Sequence, residues 1–414
     1  ENDISPTNRI RIEINNEKVN EYKPGIFEKV SDYALGLTAE YALIRIHLLK
    51  FVAILPSLDH DNKGHEVKRM LIETLRRLSN DSGKARFLGR TGQDKALPIF
   101  LEKLFFVLMY FCKVIPAFVL SESVRTIIKQ MAKRFIAGES IEKVSSTFNE
   151  LKVTKREATL DQLGELVVSE KEADHYRDEV IRLINGLEDH YEKGEKNKAL
   201  INRAHVSIKV SALCSDFKPE AFEYTKSLVT PRLKKILIEA KKNDVFINID
   251  AEHYDYRDLV FKIYRDVLLE TPELENYSQT GIVLQAYLRD AYSHLTDIYE
   301  LAKERKILMP VRLVKGAYWD AETVEAQAHS FNAPEFLNKE ETDINFRSLV
   351  YEMLKSGDYL QLCLASHNFG DHSFCEVLRE KLFPKAPVIE HQCLHMTYEA
   401  LSTALSKMGW ATRN

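Results

Sequence analysis

The sequence predicts an α/β protein, a (β/α)8 barrel of the TIM type preceded by an all-helical domain. Three observations carry that expectation. After Thr154 the chain alternates apolar, strand-like runs with helical stretches, which is the grammar of a parallel sheet. Polar or charged residues close one strand after another, as they do where a barrel gathers a ligand at the carboxyl ends of its strands. No GxGxxG follows the first strand, which counts against the alternative architecture, a doubly wound open sheet.

Residues 1–25 have no sustained period and read as an amino-terminal arm. Residues 26–153 read as a helical domain, with Tyr41, Leu43, Ile44, Ile46, Leu48, Leu49 and Val52 crowding one stripe and Lys68, Arg69, Glu73, Arg76 and Arg77 on a wet face. The stretch 80–94, rich in Gly, Ser and Asp and carrying Lys84, Arg86 and Arg90, reads as a solvated connection, with an anion-binding loop as the alternative. Residues 104–112 form the most apolar window and are too few to span a bilayer; they fit a buried helix or, in the sharper reading, contact with a membrane surface.

Residues 154–414 carry the barrel. Strands are expected at 159–165, 205–213, 245–252, 280–287, from 309 onward, at 360–368 and at 388–395, each followed by a helix, and Ser169 with Glu172 forms a capping box at the start of the first. The helix after the fifth strand is interrupted by the polar segment 332–338. Seven strand–helix units are legible, so the last unit is expected to be missing, and Ala411-Thr412-Arg413-Asn414 reads as a tail fragment.

A net charge of −4 gives no general attraction to nucleic acid, and an odd count of five cysteines without CxxC spacing suits reduced thiols in cytosol. The strand ends offer Glu165, Lys209, Asp250 with Glu252, Gln285 with Tyr287, Arg312 with Lys315 and Tyr318, His367 with Asn368, and Gln392 with His395. Lys209 inside an apolar strand suits an imine former, a charge partner for Asp250 or a surface residue. Asp250 needs a buried partner, and Lys209 on the next strand is the natural one. His391 and His395 lie on a strand and its turn, so the two-histidine geometry of a helical metal site does not apply, and no metal is expected. Arg312, Gln285, Lys315, His367 and Asn368 together match a large anionic cofactor with hydrogen-bonding ring edges, as a flavin dinucleotide has.

Val311-Arg312-Leu313-Val314-Lys315-Gly316-Ala317-Tyr318-Trp319-Asp320 resembles the signature of the proline dehydrogenase domain of bacterial proline utilization A. Ser207-Ile208-Lys209-Val210-Ser211-Ala212-Leu213, Ile249-Asp250-Ala251-Glu252, Leu284-Gln285-Ala286-Tyr287, Ser366-His367-Asn368 and Gln392-Cys393-Leu394-His395 match its other strand-end motifs in order. Phe135-Ile136-Ala137-Gly138-Glu139 and Asp161-Gln162-Leu163-Gly164-Glu165 extend the similarity upstream, to about residues 130–400 in all. The resemblance implies a distorted barrel that holds FAD non-covalently and oxidises L-proline to Δ1-pyrroline-5-carboxylate, with electrons passed to a membrane quinone. Lys209, Asp250, Leu313 and Tyr318 would then line the proline pocket, with Arg312, Lys209 and Asp250 serving catalysis. Arg312 and Gln285 would meet the flavin ring, and Lys315, Gly316, Ser366, His367, Asn368 and Gln392 would complete the cofactor site.

The resemblance further implies a cytoplasmic enzyme peripherally associated with the inner membrane and leaves room for a pyrroline-5-carboxylate dehydrogenase domain or partner and for a homo-oligomer; nucleic-acid binding, which some relatives have through a short amino-terminal module, gets no support from the weakly patterned, non-basic start of this chain. Three departures qualify it. The family's final helix, with paired arginines that clamp the substrate carboxylate, has no counterpart here, so a chain of this extent should bind proline poorly. Met396-Thr397-Tyr398 stands where Gly-Met is usual, and Ser366 replaces Thr while keeping the hydroxyl. Two other function classes stay open, a Schiff-base lyase or aldolase using Lys209 or Lys315, and a non-catalytic helical assembly or membrane-docking module built on residues 26–150.

Overall fold

The computed structural model describes residues 23, 25, 29, 33, 36–38, 40–58, 63–132, 136, 138, 140–162 and 167–414. The expected arm at 1–25 lies outside the described residues except for Lys23 and Gly25, as do Glu165 and most of the Phe135–Glu139 motif. The chain forms two compact units, Lys23–Ile136 and a second that contains Ala137–Asn414.

The first unit is helical. Its described helices are α1 (Ala42–Ile54), α2 (His65–Phe87), α3 (Ile99–Val114) and α4 (Ala117–Ala132). Tyr41, Ile44, Leu78, Leu97 and Leu101 form one small core. The loop expected at 80–94 is helical as far as Phe87: Ser82 is buried in α2, where its hydroxyl accepts from the Leu97 amide at 2.8 Å. The window 104–112 lies within α3, but Phe106, Val107, Tyr110 and Phe111 face outward, so the buried-helix reading holds for only part of it. No described helix is long and apolar enough to cross a membrane.

The second unit starts earlier than expected. α5 (Ser145–Val153), which the sequence reading gave to the helical domain, packs Phe148 and Leu151 into the barrel's own apolar cluster. Then follow β1 (Leu160–Asp161), α6 (Glu170–Gly186), β2 (His205–Ile208), α7 (Phe222–Lys242), β3 (Phe246–Ile249), α8 (Tyr254–Glu270), β4 (Thr280–Gln285), α9 (Ala291–Arg305), β5 (Met309–Val314), α10 (Trp319–His329), α11 (Lys339–Lys355), β6 (Leu360–Ala365), α12 (Phe369–Leu382), β7 (Glu390–Gln392), α13 (Glu399–Lys407) and β8 (Ala411–Arg413). All eight strands are parallel and ordered β1 to β8, the architecture the alternating grammar predicts. Half of the capping box forms as expected: Ser169 Oγ accepts from the Glu172 amide at 3.3 Å, while the Glu172 carboxylate accepts at 2.9 Å from the Val168 amide, one residue before the cap.

The missing last unit is half corrected, because the supposed tail fragment is the eighth strand. Gln392 pairs with Arg413 on one side of it. On the other, the Glu157 amide donates to Thr412 O at 2.9 Å, the Asn414 amide to Glu157 O at 2.8 Å and the Thr159 amide to Asn414 O at 2.8 Å. Residues 157–159 run straight into β1, so the sheet shuts on itself. A three-residue strand with an arginine in it carries too little period-2 signal to be seen in sequence.

Candidate active site

At the carboxyl ends of the strands the structure gathers most of the expected side chains into one network. Lys209 and Asp250 follow β2 and β3 directly, and Lys209 Nζ lies 3.8 Å from Asp250 Oδ2. The expected pair therefore exists as an ion pair rather than a hydrogen bond. The same ammonium lies 3.6 Å from Asp161 Oδ2 at the end of β1, a partner the sequence reading did not single out. Desolvation raises the Asp161 carboxyl to about 6, and the Lys209 charge only partly offsets that.

Arg312 projects from β5 across the barrel. Its Nη1 is 3.4 Å from both Asp250 Oδ1 and Ser207 Oγ, and its Nε donates to Gln392 Oε1 at 2.7 Å. Gln392 in turn donates to Glu390 Oε1 at 2.7 Å, and the wholly buried Glu390 accepts from Arg413 Nε at 2.9 Å. A string of alternating charge thus runs from Arg413 on β8 up to Asp161 on β1. Gln392, expected at the cofactor, stands behind Arg312 with both ends of its amide engaged.

Leu313 does not join this network. The pleat turns it to the opposite face of β5 from Arg312, and it is fully buried in the apolar cluster. Gln285, at the end of β4, donates to Glu252 O at 3.1 Å, while its Oε1 is buried without a hydrogen-bond partner among the described residues. Beside it a cavity of about 20 Å³, water-sized, is lined by Asp250, Glu252, Gln285 and His294. Glu252 is itself buried and its carboxyl is raised by desolvation, although Ser211 donates to it from both its amide and its hydroxyl.

Past β5 the chain needs glycine. Gly316 has φ of +144°, and a Cβ there would sit 2.2 Å from the Tyr287 ring. Tyr318 packs against the His253 ring with 4.3 Å between centroids, and its hydroxyl is 3.4 Å from Ala251 O. Lys315 is held by Asp343 at 2.5 Å and Asp371 at 3.0 Å; burial opposes its charge, but the two carboxylates outweigh burial and raise its pKa.

The β6 end is built differently from a row of free donors. Asn368 caps α12, accepting from the Gly370 amide at 2.9 Å, and Ser366 Oγ bridges the Asn368 amide and Asp371 at 3.0 Å each. His367 Nε2 accepts from the Leu394 amide at 3.0 Å, so its proton sits on Nδ1, and burial lowers its pKa, keeping the ring neutral. Behind this turn lies a buried chain that spacing alone could not reveal: His391 lies 3.0 Å from Glu376 and 2.9 Å from His372, and His372 reaches Ser366 O at 2.7 Å. Burial drives His372 down to about 3.

The donor set fits a flavin dinucleotide. Gln285 Oε1 is an acceptor in want of an N–H, Gly316 lets the chain after β5 pass close against Tyr287, and Arg312 supplies a planar cation.

The chain is 30% identical over 282 residues to proline dehydrogenase 1 of Bacillus subtilis, covering 68% of this chain and 80% of that protein. It is 26% identical over 275 residues to the bifunctional protein PutA of Escherichia coli, covering 66% of this chain. It thereby spans 20% of the length of that PutA protein. Among solved structures, proline utilization A of Bdellovibrio bacteriovorus superposes with a TM-score of 0.80 at 26% identity, covering 100% of this chain and 39% of that one. The proline dehydrogenase family model matches residues 144–414, the whole of the barrel from α5 to β8, and the chain belongs to the proline dehydrogenase family.

Proposed function

We propose that this chain is an FAD-dependent proline dehydrogenase that oxidises L-proline to Δ1-pyrroline-5-carboxylate and delivers the electrons to a quinone. The observation that carries the reading is Asp250 held between Arg312 and Lys209 at the mouth of a closed barrel. Bound FAD supplies the hydride acceptor; everything else falls to the chain's own side chains.

Lys209 offers the substrate carboxylate a cation that two carboxylates already hold in place. Tyr318, backed by His253, gives the small ring an aromatic wall. Arg312 is held by Gln392 and Asp250 on two sides, so its guanidinium is fixed where negative charge builds up during the reaction. Asp161, with a carboxyl near 6, exchanges a proton near neutrality beside the place where the substrate amine must be neutral. Gln285, Lys315, Gly316, Ser366, His367 and Asn368 complete the cofactor's surroundings, Lys315 and Asn368 through the turn they brace.

The barrel carries the chemistry and the helical unit is scaffold. The outward apolar residues Phe100, Phe106, Phe111 and Phe118 support peripheral contact of that unit with a membrane holding the quinone, in a cytoplasmic enzyme. A pyrroline-5-carboxylate dehydrogenase partner fits the same reading, because the PutA relatives carry the name bifunctional.

Anaerobic titration of the FAD-loaded protein with L-proline tests this. Flavin absorbance should bleach with proline and return when a soluble quinone is added, and Arg312→Met should slow the bleaching by roughly a hundredfold or more. Protein that takes up no FAD, or whose flavin stays oxidised even at proline concentrations high enough to fill a weak site, sinks the reading.

A further inference from the structure

Orientation of an amide is usually ambiguous, but here both ends are dictated. Arg312 Nε can only donate, so the group it meets on Gln392 at 2.7 Å is the oxygen. Glu390, paired with Arg413, can only accept, so the group it meets at 2.7 Å is the Gln392 NH2. Glu390 and Gln392 sit two apart on β7 and so project to the same face, and both are buried, with Glu390 0% and Gln392 7% exposed. Glu390 is itself immobilised: Asn197 donates to its other oxygen, and Arg413 is tied to Ala158 O at 2.7 Å and Asn202 O at 3.1 Å.

We propose that Glu390, at the floor of the barrel, is a positioning residue for Arg312: by holding the NH2 end of Gln392 it keeps the carbonyl aimed at Arg312 Nε and so fixes the plane of the guanidinium at the mouth. The proposal rests on the reading in which Arg312 faces the flavin ring. It assigns a role to a side chain two positions removed from any ligand. The wall makes that transmission workable, since Gln392 is paired in register with Ala365 and Arg413 on either side, which fixes the backbone its side chain departs from, and both ends of its amide are engaged.

The test is a double-mutant cycle. Glu390→Gln gives position 390 a donor of its own, which removes the demand that Gln392 present NH2. Bleaching by proline should slow roughly tenfold while the proline KM stays within about twofold, and the FAD affinity and visible flavin bands should shift with it. Combined with Arg312→Met, the same change should cost nothing further, because its route to the flavin is already cut. In the flavin-free protein Gln392→Met, which spares the Glu390–Arg413 pair, should be non-additive with Arg312→Met in thermal unfolding, because both remove the same Arg312–Gln392 hydrogen bond. Gln392→Met, which leaves the Glu390–Arg413 pair whole, provides the same cycle if the charge change prevents folding. Multiplicative losses, or wild-type kinetics in Glu390→Gln or Gln392→Met, overturn the positioning role alone. A wild-type protein that proline does not bleach overturns the parent reading and this one with it.

Discussion

Lys315 and Lys209 each lie between two carboxylates, Lys315 at the shorter distances. Two carboxylates at 2.5 and 3.0 Å keep Lys315 protonated, and a protonated amine cannot form an imine. Borohydride in the presence of a carbonyl substrate should therefore leave Lys315 unlabelled in a peptide map, and labelling there would revive the lyase alternative. Asp161 yields a pH prediction. Its carboxyl is raised from 3.8 to about 6, so between those values the folded protein binds a proton that the unfolded chain has released, and stability falls as pH rises through that window. The side chain is 39% exposed, which shrinks the effect. Asp161→Asn should flatten the dependence, seen as a smaller difference between melting temperatures measured near the two ends of the window; an undiminished slope assigns it to other groups. Gly316→Ala should destabilise by at least about 1–3 kcal/mol, from the positive φ and from collision with Tyr287, read by thermal unfolding. At this scale the sequence was a good guide to which residues close the strands and a poor one to whom they touch. Lys209, Asp250 and Arg312 could be placed because each ends or interrupts an apolar run. The contacts that Gln392, Leu313 and Asn368 make within the protein depend on a buried neighbour, pleat parity and a helix start, none of which a motif encodes.

Elements were legible in proportion to their length. α6, α7 and α9 have long apolar stripes and appear within a few residues of expectation. The capping box at Ser169 was readable because its chemistry is local, and Ser169→Ala should cost about 1 kcal/mol in chemical denaturation; a loss indistinguishable from zero would mean the cap is redundant. The break after β5 was also readable, since polar residues at 332–338 separate α10 from α11. Strands β2, β3 and β7 are shorter than expected because their polar ends leave the ladder to face the mouth, as Lys209 and Asp250 do. β8 was invisible, and α5 was given to the wrong unit, for one reason: both are short and are defined by what they pack against rather than by any pattern of their own.

For the whole molecule, the decisive polar contact inside the barrel is Arg413 with Glu390, 1% and 0% exposed. Arg413→Met would strand a buried carboxylate and should cost about 3–5 kcal/mol, whereas replacing both partners with apolar residues should recover most of that loss, as compared by denaturant midpoints. Equal destabilisation by the single and double variants would place the cost in cavity formation instead.

Shutting the sheet also has a kinetic consequence. The rungs that join Glu157 and Thr159 to Thr412 and Asn414 link the two extremes of the cylinder, like the clasp of a hoop. Clasps of such high contact order fasten late, after the intervening units have assembled, and they slow folding as a whole. Slow hydrogen exchange at the Asn414 amide would then report that the entire hoop is intact, and its loss would mark the opening of all eight staves together.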